Sequence, residues 1–338
     1  MMKLPLGVMV SLVLAGCGGV SDALPASQVS AKAGTVVRVS TLVSSTLASE
    51  SVAAIAAQMA KSKIPQVVMG SGLVTLNAAS IDPAANPALQ AFDESMAQLR
   101  EAGASTIWFV VDEADGVETL SQFGDGPNDG LVWLVQTDGR MGAGQLAELA
   151  TKLLGSKVDA TSVGGGWFRI TDPSASEAPA ITDPSPENAT ALQASAMVFG
   201  QSTVSCGMLV TPAMRASWQD GMAESNPMLA GIASGFGESI DDLQALSVGV
   251  DLGPSPAIRG QFRFSTPDAA NEFADEWSQA CDGMAMMAGM MLAAPKEDGS
   301  PSVDPKVFRS MAEALRFKQA ESSLNLTIDG PVWPMLIP

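Results

Sequence analysis

The chain contains no histidine and no tyrosine among its 338 residues. The lack of histidine excludes Ser-His-Asp and Cys-His catalysis, HExxH metalloprotease sites and histidine-rich zinc sites. Carboxylate pairs remain available, but with 36 acidic residues some pair will lie close by chance, so spacing alone does not identify one. We therefore favour a protein that is not an enzyme, and we expect no cofactor and no metal site.

Positive charge is also scarce. The chain has 18 Lys and Arg against 36 Asp and Glu, which gives a formal net charge of −18 and a sequence pI of about 4.2. Binding to nucleic acid through released counterions needs clusters of Lys and Arg, and the sequence has none. We expect no nucleic-acid partner.

The N-terminus has the pattern of a secretory signal peptide. Lys3 supplies the positive charge, an uncharged run follows over residues 4–15, and Gly16 and Cys17 end it. The run is shorter than the roughly 20 residues that span a bilayer as a helix. The sequence therefore predicts a signal peptide over residues 1–16.

The end of this segment, Leu14-Ala15-Gly16-Cys17, resembles the lipobox of bacterial lipoproteins. The resemblance covers the N-terminal segment alone. It implies cleavage before Cys17 and lipid attachment to that cysteine, which makes the membrane a partner and places the chain outside the cytoplasm. Gly18 after the cysteine favours the outer membrane.

The remaining chain has 46% hydrophobic residues, which is typical of a globular protein. We predict a flexible tether over 17–34, a first unit over 35–172, a linker rich in Pro and Ser over 173–188, and a second unit over 189–338. Both units read as strands followed by a helix and a further strand, which predicts an α+β fold of two similar units with mostly antiparallel sheets covered by helices.

Predicted elements of the first unit are a helix over 87–103, strands over 105–111, 131–136 and 166–171, and a helix over 142–154. Those of the second unit are strands over 246–252, 257–264 and 323–328 and helices from 267 and over 305–317. Cys206 and Cys281 form an even pair in a compartment that permits disulfides, so we expect them to be bonded, with two buried free thiols as the alternative.

The long helix from Pro267 is the most unusual feature. Thr266 is placed to cap it, and Phe273, Trp277 and Cys281 lie on one buried stripe. Its C-terminal part is apolar nearly all round because of the candidate binding residues Met284, Met286, Met287, Met290 and Met291. Burial between the units, an adaptable surface for an apolar partner, and thioether ligation of Cu(I) are the alternatives.

Three further patterns have an ordinary structural explanation. The segment Gly142–Ala147 fits G-x-G-x-x-A, but we interpret it as a helix start rather than a nucleotide site. The acidic stretches at 112–116 and 125–130 could ligate calcium, but their residues are also those of tight turns. The tryptophans of three predicted strands could stack on a sugar if exposed, but we expect most of them in the core; they are Trp108, Trp133 and Trp167.

Together these features favour a lipid-anchored extracytoplasmic protein of the bacterial cell envelope that binds or scaffolds a partner, such as another envelope protein. The alternative is a metal or small-ligand carrier that uses the Met-rich helix or the acidic turns.

Overall fold

The computed structural model describes residues 23–61, 87–112, 131–154, 157–171, 181, 183–212, 214–215, 239–292 and 305–329. The predicted signal peptide and Cys17 lie outside these residues, as do most of the two acidic stretches. The statements below concern the described residues.

Ten strands and six helices make up the described fold. The strands are β1 (Ala33–Ser40), β2 (Thr106–Asp112), β3 (Leu131–Gln136), β4 (Asp159–Gly164), β5 (Trp167–Thr171), β6 (Val204–Leu209), β7 (Leu243–Asp251), β8 (Ala257–Phe264), β9 (Lys318–Ala320) and β10 (Ser323–Asp329). The helices are α1 (Ser45–Lys61), α2 (Pro87–Glu101), α3 (Ala143–Leu154), α4 (Pro186–Met197), α5 (Pro267–Leu292) and α6 (Pro305–Ala314).

All ten strands belong to one sheet, in the order β4-β5-β3-β2-β1-β6-β7-β8-β10-β9. Every described pairing is antiparallel. The α+β class and the antiparallel sheet are thus confirmed. The sheet is continuous, however, because β1 pairs with β6 from Thr35 opposite Met208 to Val39 opposite Val204.

The first part of the sheet has a core on each face. On one face, α2 and α3 cover alternate residues of β2, β3 and β5, including Phe109 and Trp133 in edge-to-face contact with ring centroids 4.6 Å apart. On the other face, α4 covers the residues in between, including the fully buried Trp108 and Leu134. Burial on both faces explains why β2 and β3 are apolar without alternation.

The residues before β1 belong to this second core, which departs from the predicted tether over 17–34. Leu24 and Val29 are buried against α4, and the Leu24 N–H donates to Gln193 Oε1 at 3.1 Å. Asn188 Nδ2 donates to the carbonyl oxygens of Ser30, Ala31 and Ala33 at 2.9–3.2 Å. The burial of Leu24 and Val29, together with these hydrogen bonds, therefore orders a segment whose small and polar residues are typical of a flexible tether.

The linker predicted over 173–188 ends in ordered structure. Pro184 forms an isolated bridge with Ser30, and Ser185 caps α4 by accepting the Asn188 N–H at 3.2 Å. Pro186 then occupies the first turn of the helix, where its missing N–H costs no hydrogen bond. Ser185 and Pro186, which lie in the predicted linker, therefore begin helix α4.

The paired strands β1 and β6 form the seam between the two parts of the sheet. Helix α4 crosses this seam at short range because the strands below it carry small residues. A methyl group added at Gly207 would lie 2.4 Å from the Ala196 nitrogen and 2.8 Å from the Leu192 carbonyl oxygen. Ser195 Oγ donates to the Leu246 carbonyl oxygen and lies 2.9 Å from Ser247 Oγ.

The second part of the sheet is covered by α5 on the face that α2 and α3 cover in the first part. Its core contains Phe264, Phe273 and Leu324. The opposite face of β8 and β10 is polar, with Gln261 Nε2 donating to Asn325 Oδ1 at 3.0 Å. This alternation is typical of a sheet with one solvated face.

We predict that Gly207→Ala destabilises the fold by about 1–3 kcal/mol, because α4 cannot approach the seam past a methyl group. Gly283→Ala on the exposed side of α5, where no described atom lies within 4 Å of the added methyl, should instead stabilise by roughly 0.5–1 kcal/mol. Urea unfolding monitored by tryptophan fluorescence measures both. Equal shifts of the two variants would contradict the close approach of α4.

Candidate functional site

The start of α5 is as predicted. Thr266 Oγ1 accepts the Ala269 N–H at 3.2 Å, Pro267 opens the helix, and Asp268 lies in its first turn. Phe273 and Cys281 are buried on the same stripe. Trp277 is half-buried, and its Nε1 donates to the Leu315 carbonyl oxygen at 2.7 Å.

The candidate binding residues lie at the C-terminal end of α5. Met286 is 64% exposed, although it lies in a helix that buries Cys281 five residues earlier. Five residues turn a helix through about 140°, so the two side chains leave α5 on nearly opposite sides. The side chains of the other four candidates lie outside the described residues: Met284, Met287, Met290 and Met291.

The expected disulfide is absent from the structure, in which Cys206 and Cys281 are both free thiols. Cys206 lies on β6, whereas Cys281 belongs to α5, which packs on β8, β9 and β10. Because β7 separates β6 from β8, the two cysteines sit over strands about 10 Å apart. A disulfide needs Cα atoms within roughly 7 Å.

Burial affects the acidity of both thiols. It raises the pKa of Cys206 to about 11. Burial also raises the pKa of Cys281, with a further contribution from the charge of Asp282 beside it, which Arg316 partly offsets. Both thiols are therefore protonated near pH 7 and poor nucleophiles.

We predict that two thiols react with a labelling reagent when the chain is unfolded in guanidinium without reductant, and that the folded chain reacts slowly at pH 8. Slow labelling follows from the raised pKa of Cys206 and the burial of Cys281. Mass spectrometry counts the labels. Cys206→Ala and Cys281→Ala should each remove one label. If the two labels appear only after reduction, the cysteines are bonded and the prediction of free thiols is wrong.

The three strand tryptophans are core residues, as expected. Trp108 and Trp167 are buried on the face covered by α4, and Trp133 is buried on the face covered by α2 and α3. Because all three rings are buried, they cannot form a sugar-stacking platform.

The G-x-G-x-x-A segment is the start of α3. Gln145 Oε1 accepts the Gly142 N–H at 3.2 Å, which is the return half of a capping box. The acidic stretches stay untested, since residues 113–130 lie outside the described part. Within that part, no three His, Cys, Asp or Glu residues come together as a metal site.

An open cavity of about 420 Å³ lies at one end of the β1–β6 seam. Three loops surround it. The first follows β1 and includes Thr41 and Leu42, the second joins α2 to β2 through Gly103–Ser105, and the third joins α4 to β6 through Gly200–Ser202. Its volume is within the usual range of small-molecule sites.

The backbone at the cavity is well fixed. Gly103 has φ +78° and ends α2, with the Ala104 N–H donating to the Leu99 carbonyl oxygen at 2.9 Å. Thr41 Oγ1 donates to the Ala104 carbonyl oxygen at 2.9 Å. On the other side, the Ser40 N–H donates to the Thr203 carbonyl oxygen at 2.9 Å.

Among the described residues that line the cavity, two carry a charge, and both are arginines. Arg38 Nη1 donates to the Ser202 carbonyl oxygen at 3.5 Å, and Arg100 Nη1 donates to the Thr41 carbonyl oxygen. Asp138 packs against Gly103, but its carboxylate is paired with Arg140 at 2.8 Å. The cavity is therefore cationic in a chain of net charge −18.

No local sequence pattern predicts this site. One signal was present, since Arg38 is the only charged residue of the strand Ala33–Ser40. The other contributors, Arg100 and Ser202, are 62 and 164 positions away from Arg38 along the chain, and only the sheet order brings them together.

No described helix is long and apolar enough to cross a membrane. Comparison of the chain with protein-family models, with curated proteins and with solved structures finds no match in any of the three.

Proposed function

We propose that this chain is a lipid-anchored extracytoplasmic protein of the bacterial cell envelope, on the outer-membrane side, that binds or scaffolds another envelope protein. The signal peptide and the lipobox-like Leu14–Cys17 support the anchor. The observation that carries the binding role is Met286, an unbranched apolar side chain that is 64% exposed. Methionine adapts to varied apolar surfaces, which suits a docking residue.

The anchor would hold the fold close to the membrane. Leu24 is already packed against α4, so only a short stretch of sequence separates Cys17 from the fold. Seven residue steps (24 − 17) span at most roughly 25 Å when fully extended. A partner would therefore be a membrane protein or another lipoprotein rather than a distant component of the envelope.

We predict that Cys17→Ser leaves the precursor uncleaved or releases the protein from the membrane, because the thioether lipid needs the cysteine sulfur. Cell fractionation and intact mass of the purified chain measure this. Cys206→Ser serves as the matched control and should be processed normally. Normal processing and membrane retention of Cys17→Ser would contradict the lipid anchor.

We predict that a photo-crosslinking amino acid at Met286 gives one discrete adduct in intact cells, since this side chain would lie in the interface. The same substitution at Glu148, an exposed position of α3, is the control and should give none, because α3 packs on β4 at the other end of the sheet. Identical adducts at both positions, or no adduct at Met286, would count against docking through α5.

We further infer that the two halves, 35–172 and 189–338, are related units. Outward from the seam, the strand order is β1-β2-β3-β5-β4 on one side and β6-β7-β8-β10-β9 on the other. Ser44 Oγ accepts the Leu47 N–H at 3.2 Å shortly after β1, and Thr211 Oγ1 accepts the Met214 N–H at 3.2 Å shortly after β6. Aligning these two caps matches Arg38 with Ser205.

A second candidate function is the carrying of a small ligand. The cavity at the end of the seam favours this function. The sequence instead suggested the Met-rich helix or the acidic turns as the ligand site. Native and denaturing mass spectrometry of the mature chain tests it: a mass present only in the native spectrum identifies a carried ligand, and a bare native mass on chain taken directly from cells argues against one.

A further inference from the structure

We propose that the cavity lined by Arg38 and Arg100 binds the oxyanion group, carboxylate or phosphate, of a small polar molecule. The proposal deepens the second candidate function and is independent of docking through Met286. It rests on the geometry of the three loops, on the two guanidinium groups, and on the distribution of charge in the chain.

Positive charge converges at the cavity. Two of the chain's 18 basic residues line one cavity of about 420 Å³, and no carboxylate is among the described residues that line it. The rest of the sequence has 36 acidic residues against 16 basic ones (18 − 2), so positive charge is scarce outside this pair. Apolar walls around charged groups concentrate the field in a cleft and strengthen its attraction for an anion.

Arg100 keeps N–H donors that a ligand can use. A guanidinium carries five N–H donors in a planar fork that matches two oxygens of a carboxylate or phosphate. Arg100 donates from Nη1 to the Thr41 carbonyl oxygen, which holds the side chain at the cavity. A side chain held by one backbone bond can donate to a ligand without first losing its rotational freedom.

Arg38 is not repeated in the second half of the sheet. In the proposed correspondence between the halves, the matching residue is Ser205, which is fully buried in the same kind of strand. A guanidinium at this position is therefore specific to the half that carries Arg38.

The surroundings supply further polar contacts. Gln201 lines the cavity at an exposed position, where its side-chain amide can donate to a ligand. Leu42, 66% exposed, adds an apolar group at the rim.

The test uses the full mature chain in detergent and three probes of similar size: glucuronate, glucose 6-phosphate and glucose. Isothermal titration calorimetry should detect one or both anions and not glucose. Binding of glucuronate alone identifies a carboxylate ligand, and binding of glucose 6-phosphate alone identifies a phosphate. Equal binding of glucose, or no binding of either anion, overturns the proposal.

Variants locate the binding. Gln201→Glu places a carboxylate in the cavity at an exposed position without removing an arginine, and Gln279→Glu makes the same change on exposed α5. We expect Gln201→Glu, Arg38→Gln and Arg100→Gln each to weaken anion binding about 10-fold or more, as expected for a charged hydrogen bond, and Gln279→Glu to leave it unchanged.

Equal weakening by Gln201→Glu and Gln279→Glu would overturn the site, because it would reflect net charge alone. If Arg38→Gln does not fold, Gln201→Glu and Arg100→Gln still decide the question. A protein that keeps its lipid and its Met286 adduct but binds neither anion would refute this inference and leave the envelope-binding proposal standing.

Discussion

The pairing of β1 with β6 is the contact on which the rest of the structure depends. It joins strands that are about 170 residues apart in sequence and gives the sheet a continuous centre. Without it, both strands would expose a row of unpaired N–H and C=O groups at a sheet edge. Helix α4 can seal this seam because Gly207 and the Ser195–Ser247 pair leave room for its backbone, while Gly249 leaves room for the Phe199 side chain just after it.

The seam also connects the features proposed to carry function. Leu24, which follows the proposed lipid-anchoring segment, packs on α4, and the loop after α4 forms one wall of the cationic cavity. Membrane attachment, the sheet centre and the cavity would thus share one helix. Met286 lies well away along the chain, on α5 over the second half of the sheet, so a docked partner and a small ligand need not compete.

Local patterns in the sequence were enough to predict the elements of strong periodicity. The strands at 131–136 and 257–264 have the predicted bounds, and the Thr266 cap of α5 is confirmed. The strand Ala33–Ser40 and helix α4 were not predicted; the first two residues of the strand fell in the predicted tether over 17–34, and the start of α4 fell in the predicted linker over 173–188. What decides these segments is packing against residues far away in sequence, which no local pattern records. The cavity was missed for the same reason.

Hydrogen exchange at the seam tests the single continuous sheet most directly. If β1 and β6 hold one cooperative unit together, the amide of Cys206 should exchange with the same opening free energy as those of Trp133 in β3 and Phe262 in β8, all near the global value. Seam amides that exchange much faster than those of Trp133 and Phe262 would instead indicate two halves that fold separately and meet only loosely.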